Sequence, residues 1–396
     1  MAYINFKEEN YAADKQLHKR RTNNDQLHRY LLKHKDEQEG YETHNKYCYN
    51  TFEGELIGKK GVFDEEHFHI ICKEDIVATK FINCSFLNVK FLDCRFVACT
   101  FEDCNFAAGG VVFENCILIK EDAESTPSLN KKDNLSCEFN NCDMYVKFLN
   151  TDLSYAIFEK CKLKNVSIEQ TMMRSTIIHN CELDVVTFED CDLCGAKFLQ
   201  TYIKDLDFND KYKTKFDEKT FFDKIQPVEK TRQEYEGIYM TYETLADKFK
   251  ENTLNNNFGE YYYLGKSTER KTLDFWPKIA SYISWITCGY GERPEFALYT
   301  GIGIIIFFAF LYLFTGVSME GKDINYSLFN MSGMSLSKFL KDFNETLNLS
   351  TGMFGGIGVN NGKPSELSYM ISNAEMIIGI IMMGLGIGTL TRKIVR

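Results

Sequence analysis

Phenylalanine and leucine recur every five residues through the middle of this chain. Phe81, Phe86, Phe91, Phe96, Phe101 and Phe106 open the series. After a slip near Gly109–Val112 and a polar insertion around Lys120–Asn134, the spacing resumes for thirteen consecutive positions. These are Phe148, Leu153, Phe158, Leu163, Ile168, Met173, Ile178, Leu183, Phe188, Leu193, Phe198, Ile203 and Phe208. A period of five fits neither the 3.6 of an α-helix nor the 2 of a simple strand. It specifies one face of a solenoid, whose coils bury their apolar side against one another. Two residues before most centres stands something small: Cys84, Cys94, Cys99, Cys104, Thr151, Ala156, Cys161, Thr171, Cys181, Cys191 or Ala196.

A central Leu or Phe with a small residue two places earlier resembles the pentapeptide-repeat family over about 71–208. The resemblance implies an all-β, right-handed quadrilateral β-helix of about twenty residues per coil. At the ~4.8 Å inter-strand spacing, its repeats make a rod roughly 25–30 Å long. Ten of the fourteen cysteines fall two residues before a Phe, Leu or Met, where a free thiol packs as a small hydrophobe. That reading calls for neither disulfides nor a metal, and it suits a reducing compartment. Cys191-Asp-Leu-Cys194 and His67-Phe-His69 have no second pair at zinc-ligand spacing. No Walker loop, dinucleotide fingerprint, nucleophile elbow or zinc-protease helix is present, so neither an enzyme nor a cofactor is expected. The net charge of −10 argues against a nucleic-acid binder held by phosphate neutralisation.

Two apolar runs lie in the last quarter. Phe296–Val317 carries no charge over 22 residues, and Leu367–Thr391 carries only Glu375. A membrane span needs about 20 such residues. Lys278 and Arg293 precede the first run, while Arg392, Lys393 and Arg396 follow the second. The positive-inside tendency puts both termini in the cytoplasm, here of a cell (inner) membrane, and 318–366 outside. The expected domains are 1–60, a polar segment with a helix around Gln26–Lys35 that serves as a cap or binds a partner, and 61–208, the solenoid. A helical linker, 209–290, and a two-span pore domain, 291–396, follow.

Between the runs, Ser337–Leu349 suits a short re-entrant helix, and the Gly-rich tip Thr351-Gly352-Met353-Phe354-Gly355-Gly356-Ile357-Gly358 suits a backbone whose carbonyls line a pore. This layout resembles the two-span potassium-channel family over about 290–396. Leu347–Thr351 matches that family's pore-helix end, and Gly356-Ile357-Gly358 its Gly-Tyr-Gly. A second register sets Thr351–Gly355 as the filter. Where a full filter reads Thr-Val-Gly-Tyr-Gly-Asp, this chain has Phe354-Gly-Gly-Ile-Gly-Val359. The resemblance places Glu375, Gly379, Gly384 and Gly386 on the inner helix, with Gly379 the hinge candidate. Glu375 either faces a cavity or braces the filter from behind. Gly289-Tyr290-Gly291 precedes the first run and cannot be a filter. The function expected is a homotetrameric cation channel in membrane lipid, gated through the solenoid by a ligand or protein partner. The alternative is a membrane-tethered interaction scaffold that does not conduct.

Overall fold

The computed structural model describes residues 3–37, 40–62, 64–107, 109–118, 137–319, 322–326, 335–357 and 362–395. The insertion around Lys120–Asn134 therefore lies outside the described residues. The chain divides into two compact units, 1–272 and 273–396.

The first unit is a β-solenoid of about seven turns. One parallel sheet runs through Thr51–Glu53, Lys80–Ile82, Thr100–Glu102, Glu138–Asn140, Ile157–Glu159, Ile177–His179, Lys197–Leu199 and Phe221–Phe222. A second includes Val89–Leu92, Val111–Glu114, Val146–Leu149, Lys162–Glu169 and Glu182–Glu189. The ladders thus begin within the 1–60 segment and extend past Phe208. Repeat centres pair with repeat centres: Phe81 with Phe101, Phe101 with Phe139, Phe139 with Phe158, Phe158 with Ile178. Ring centroids in this column are 4.9, 4.6 and 4.8 Å apart, with planes within 9° of parallel. That separation is the strand spacing itself, so each ring stacks because its backbone pairs.

The small residue two places before each centre does more than fit. Cys104 donates its thiol to the carbonyl of Phe81 at 3.3 Å, Cys161 to Phe139 at 3.4 Å and Cys181 to Phe158 at 3.4 Å. Thr151 makes the same bond to Phe113 at 3.1 Å. Cys191 donates in the same way to the carbonyl of Ile168 at 3.1 Å, and burial, the first cause, pushes its thiol up to about 12, so it stays protonated as a donor. One residue earlier the chain turns with positive φ at Asn83, Asp93, Asp103, Asn115, Asn141 and Asn180. Short amides and carboxylates tolerate that left-handed geometry better than other side chains.

Two helical elements close the solenoid. Helix α1 (Phe6–Lys33) starts earlier than the sequence suggests and lies along the side of the coils. Its Ala13 and Leu17 cover Ile157, Ile177, Leu199 and Phe221, and its Leu27 and Leu31 cover Val77 and Val97. These are outward-facing apolar positions of the coils, and they draw a helix whose composition is otherwise polar. Arg20, buried, donates to the carbonyls of Tyr155 and Ser175 at 2.9 and 2.8 Å. Helices α2 (Arg232–Glu251) and α3 (Asn255–Glu269) form a hairpin over the last coil. The Tyr261 hydroxyl donates to the carbonyl of Phe222 and accepts from its N–H, both at 2.8 Å. Lys248 reaches Asp210 at 2.8 Å in a buried ion pair.

The second unit contains α4 (Phe275–Cys288), α5 (Pro294–Thr315), α6 (Leu336–Phe354) and α7 (Glu366–Val395). Helices α5 and α7 are long and apolar enough to cross a membrane. A small antiparallel sheet of Val317–Met319, Lys322–Ile324 and Gly362–Pro364 ties the end of α5 to the start of α7.

Candidate functional site

Helix α6 packs between α5 and α7 and runs back along α5. Phe343 lies 4.7 Å from Phe310, ring to ring. Further down, the Ser350 hydroxyl lies 2.8 Å from the carbonyl of Ile305, and the Phe354 ring approaches Gly301. At 1.5 Å per residue α5 is about 33 Å long, so, measured along its axis, Asn344, Asn348 and Thr351 stand within about 10 Å of the level of its midpoint.

The two faces of α6 differ sharply. Thr346, Leu349, Ser350 and Met353 are buried against the neighbouring helices. Ser337, Lys341, Asn344, Asn348 and Thr351 are exposed. Their steps of four, three, four and three residues place them on one stripe. Leu336 and Leu340, at its edge, are exposed apolar side chains of this half. The stripe was legible in the spacing, but the glycines after it drew the sequence reading further along.

The glycine-rich tip departs from expectation. Thr351, Gly352, Met353 and Phe354 form the last turn of α6 rather than extended backbone. The helix continues because Leu349, Met353 and Phe354 carry its packed face onward at helical spacing. Gly356, with φ +67°, then ends it: its N–H bonds the carbonyl of Met353, and the N–H of Ile357 bonds that of Gly352, both at 3.1 Å. The Gly355 N–H bonds the carbonyl of Thr351 at 3.0 Å. This is a Schellman cap, which uses Gly for its left-handed turn. The carbonyls of Thr351, Gly352 and Met353 are therefore engaged within the helix end. Ile357 is exposed, and Gly358 lies outside the described residues.

Glu375 is fully buried and joins all three helices. The Tyr312 hydroxyl of α5 donates to it at 2.6 Å, and the Ser350 hydroxyl of α6 bonds its other oxygen. Through these bonds Glu375 ties α5, α6 and α7 together. Gly379, one turn on, admits the end of α6: a Cβ there would lie 2.1 Å from the Phe354 carbonyl oxygen. It is a point of close approach. Gly386 faces Ala297, whereas Gly384 has nothing within 4 Å.

At the opposite end of α7, Arg392 pairs with buried Glu292 at 3.0 Å. Glu292 follows the turn Gly289-Tyr290-Gly291, all three with positive φ, which joins α4 to α5. The Tyr290 hydroxyl lies 2.9 Å from that of Ser281 on α4. Helix α4, the α4–α5 corner and the end of α7 are thus linked. On α4, Phe275, Trp276, Ile283 and Ile286 are exposed.

No protein-family model matches the chain, and no curated protein does. Solved structures show partial likeness. QnrB1, a plasmid-mediated fluoroquinolone resistance protein, is 16% identical over 43% of this chain and 93% of its own, with a TM-score of 0.16. HetL, a pentapeptide repeat protein involved in heterocyst differentiation regulation in Nostoc sp. strain PCC 7120, is 8% identical over 41% and 86%, TM-score 0.15. The pentapeptide repeat protein Rfr23 of Cyanothece 51142 is 16% identical over 30% and 88%, TM-score 0.11. The five-residue spacing and parallel ladders of the chain itself make this unit a β-solenoid of about seven turns. It is joined to a helical unit in which two helices are long and apolar enough to span a membrane.

Proposed function

We propose that this chain is one subunit of a tetrameric, cation-conducting membrane channel, with its right-handed, four-sided solenoid and both termini in the cytoplasm. One observation carries the reading: a helix with a polar stripe lies beside the middle of an apolar helix of spanning length, the stripe turned away from both partners. With α5 across the bilayer, Asn344, Asn348 and Thr351 stand near the midplane, where polar side chains are costly unless they meet water or protein. Copies of the chain arranged around a water column supply both. The C-terminal end of α6 adds partial negative charge at that depth, which favours cations over anions.

The solenoid is the sensor. Five residues, Arg270–Asp274, separate α3 from α4. A ligand or partner on the solenoid acts through α4 on the α4–α5 corner, and from there on Arg392 at the end of α7. The pair Glu292–Arg392 holds the closed state, and its release opens the pore. A membrane-tethered scaffold is the competing reading.

The test is ion flux from liposomes containing the full chain, with subunit number read by mass in mild detergent. A tetramer that passes K⁺ and Na⁺ but little Cl⁻ is expected, and Arg392→Ala should raise the basal flux several-fold. A monomer without flux would replace the channel with the scaffold.

A further inference from the structure

Resting on the channel reading, we infer that the side chains of Asn344, Asn348 and Thr351 recognise the permeating ion, and that this ion is a hydrated monovalent cation. Strong discrimination among alkali cations by a backbone filter requires carbonyl oxygens that replace the hydration shell. The carbonyls of Thr351, Gly352 and Met353, at the tip of α6, are bonded within the Schellman cap instead. Among the described residues of α6, the side chains exposed at mid-depth are two amides and the Thr351 hydroxyl, which donates to the carbonyl of Leu347 at 2.8 Å and keeps its oxygen to accept.

Amides and hydroxyls both donate and accept, so they bond to the water around an ion as readily as to the ion itself. A stripe of this chemistry leaves the shell in place and scarcely separates K⁺ from Na⁺. Lys341 is the one charged member of the stripe, and Glu345, one turn on and outside it, carries the opposite sign, so that end of α6 has no strong net charge. Preference for cations then comes from the helix end, and a charge added to the stripe should change it directly.

The behaviour of the opposite face sharpens the assignment. Leu349 and Met353 are buried against α5 and α7, and Ser350 bonds Glu375. Water should therefore reach one side of α6 only.

Two measurements on the full chain in liposomes test this. Asn344→Cys, Asn348→Cys and Leu349→Cys variants are treated with a cationic, water-soluble thiosulfonate, and labelling is mapped by peptide mass spectrometry. The two stripe positions should be labelled and Leu349→Cys should not. Permeability ratios are then read from reversal potentials. The parent should give a K⁺/Na⁺ ratio near unity, and Asn348→Gln should preserve it. Asn348→Asp should raise the cation-over-chloride ratio about tenfold, equivalent to ~1.4 kcal/mol. Flux with strong K⁺ preference, or stripe positions that resist labelling in a conducting protein, would overturn the inference and leave the channel standing. Absence of flux from the parent would overturn both.

Discussion

The two units bury their side chains by opposite means. In the solenoid, every coil presents the same face to the next, so one chain supplies both halves of each contact. Phe139 lies between Phe101 and Phe158 in an unbroken stack. The side and one end, where repetition would leave apolar surface open, are covered by α1 and by the α2–α3 hairpin. In the helical unit, Leu298, Phe307, Met370, Ile377 and Ile387 point outward, and so does the polar stripe of α6. A repeated unit can complete itself. Three unlike helices leave an apolar surface suited to lipid and a polar one suited to water or further copies.

The largest effect that should separate the units is a cavity in the stack. Phe139→Ala removes a fully buried ring and should destabilise the solenoid by about 3–5 kcal/mol. Denaturant unfolding of the full chain, followed by the β-sheet signal, should show a lower midpoint. The helical signal of α5 and α7 should persist at that denaturant concentration. A change below about 1 kcal/mol would mean that the ring column is not the main support of the coils.

A smaller loss is expected where the solenoid ends. Asp210 accepts bonds from Lys248 and Thr214 and from the N–H of Asp190. Burial alone would raise its carboxyl, but those partners outweigh it and hold the group below its usual 3.8. Its contribution is therefore complete above pH 3.8 and is lost as pH falls through the lower value it takes in the folded chain. Asp210→Ala, which leaves Lys248 without this partner in a buried setting, should cost about 3 kcal/mol at neutral pH. The penalty should shrink in acid, because the parent loses the same interaction there. A penalty constant from pH 7 to pH 2 would assign the effect to packing instead of charge.

How much of each unit could be read in advance follows from the same contrast. The period of five is a local signal repeated many times, so the core column and the cysteine positions were legible residue by residue. The S–H bonds to the preceding coil were not, because size and polarity cannot be told apart at a buried Cys or Thr from sequence. Helix α1 was read too short because its composition is polar, and its few apolar contacts, Ala13, Leu17, Leu27 and Leu31, are widely spaced. In the helical unit, the two long helices and most of α6 were visible from hydropathy and spacing. As far as Phe354 the tip continues the helix, because glycines that let carbonyls converge are also the residues that cap a helix. Which use is made depends on whether the helix before them has a surface to follow. Here α5 and α7 provide one as far as Phe354.

That ambiguity about glycine also gives the smallest and most discriminating comparison, within α7. Gly379 and Gly384 occupy one helix, and both could be taken for a hinge. At Gly379 an added methyl would meet the backbone of Phe354, with the carbonyl carbon 2.8 Å and the Cα 2.9 Å away, so α6 would have to move. Gly379→Ala should therefore destabilise the unit by about 1–3 kcal/mol, as overpacking does. At Gly384 no atom of the chain lies within 4 Å, so alanine only improves helix propensity, by up to about 1 kcal/mol. Thermal unfolding of the two full-length variants in detergent should move in opposite directions. If both lose stability, the Gly384 face is in contact with something outside the single chain. Dilution then identifies it: a loss that grows as protein concentration falls means a second copy is packed against the open face of α7.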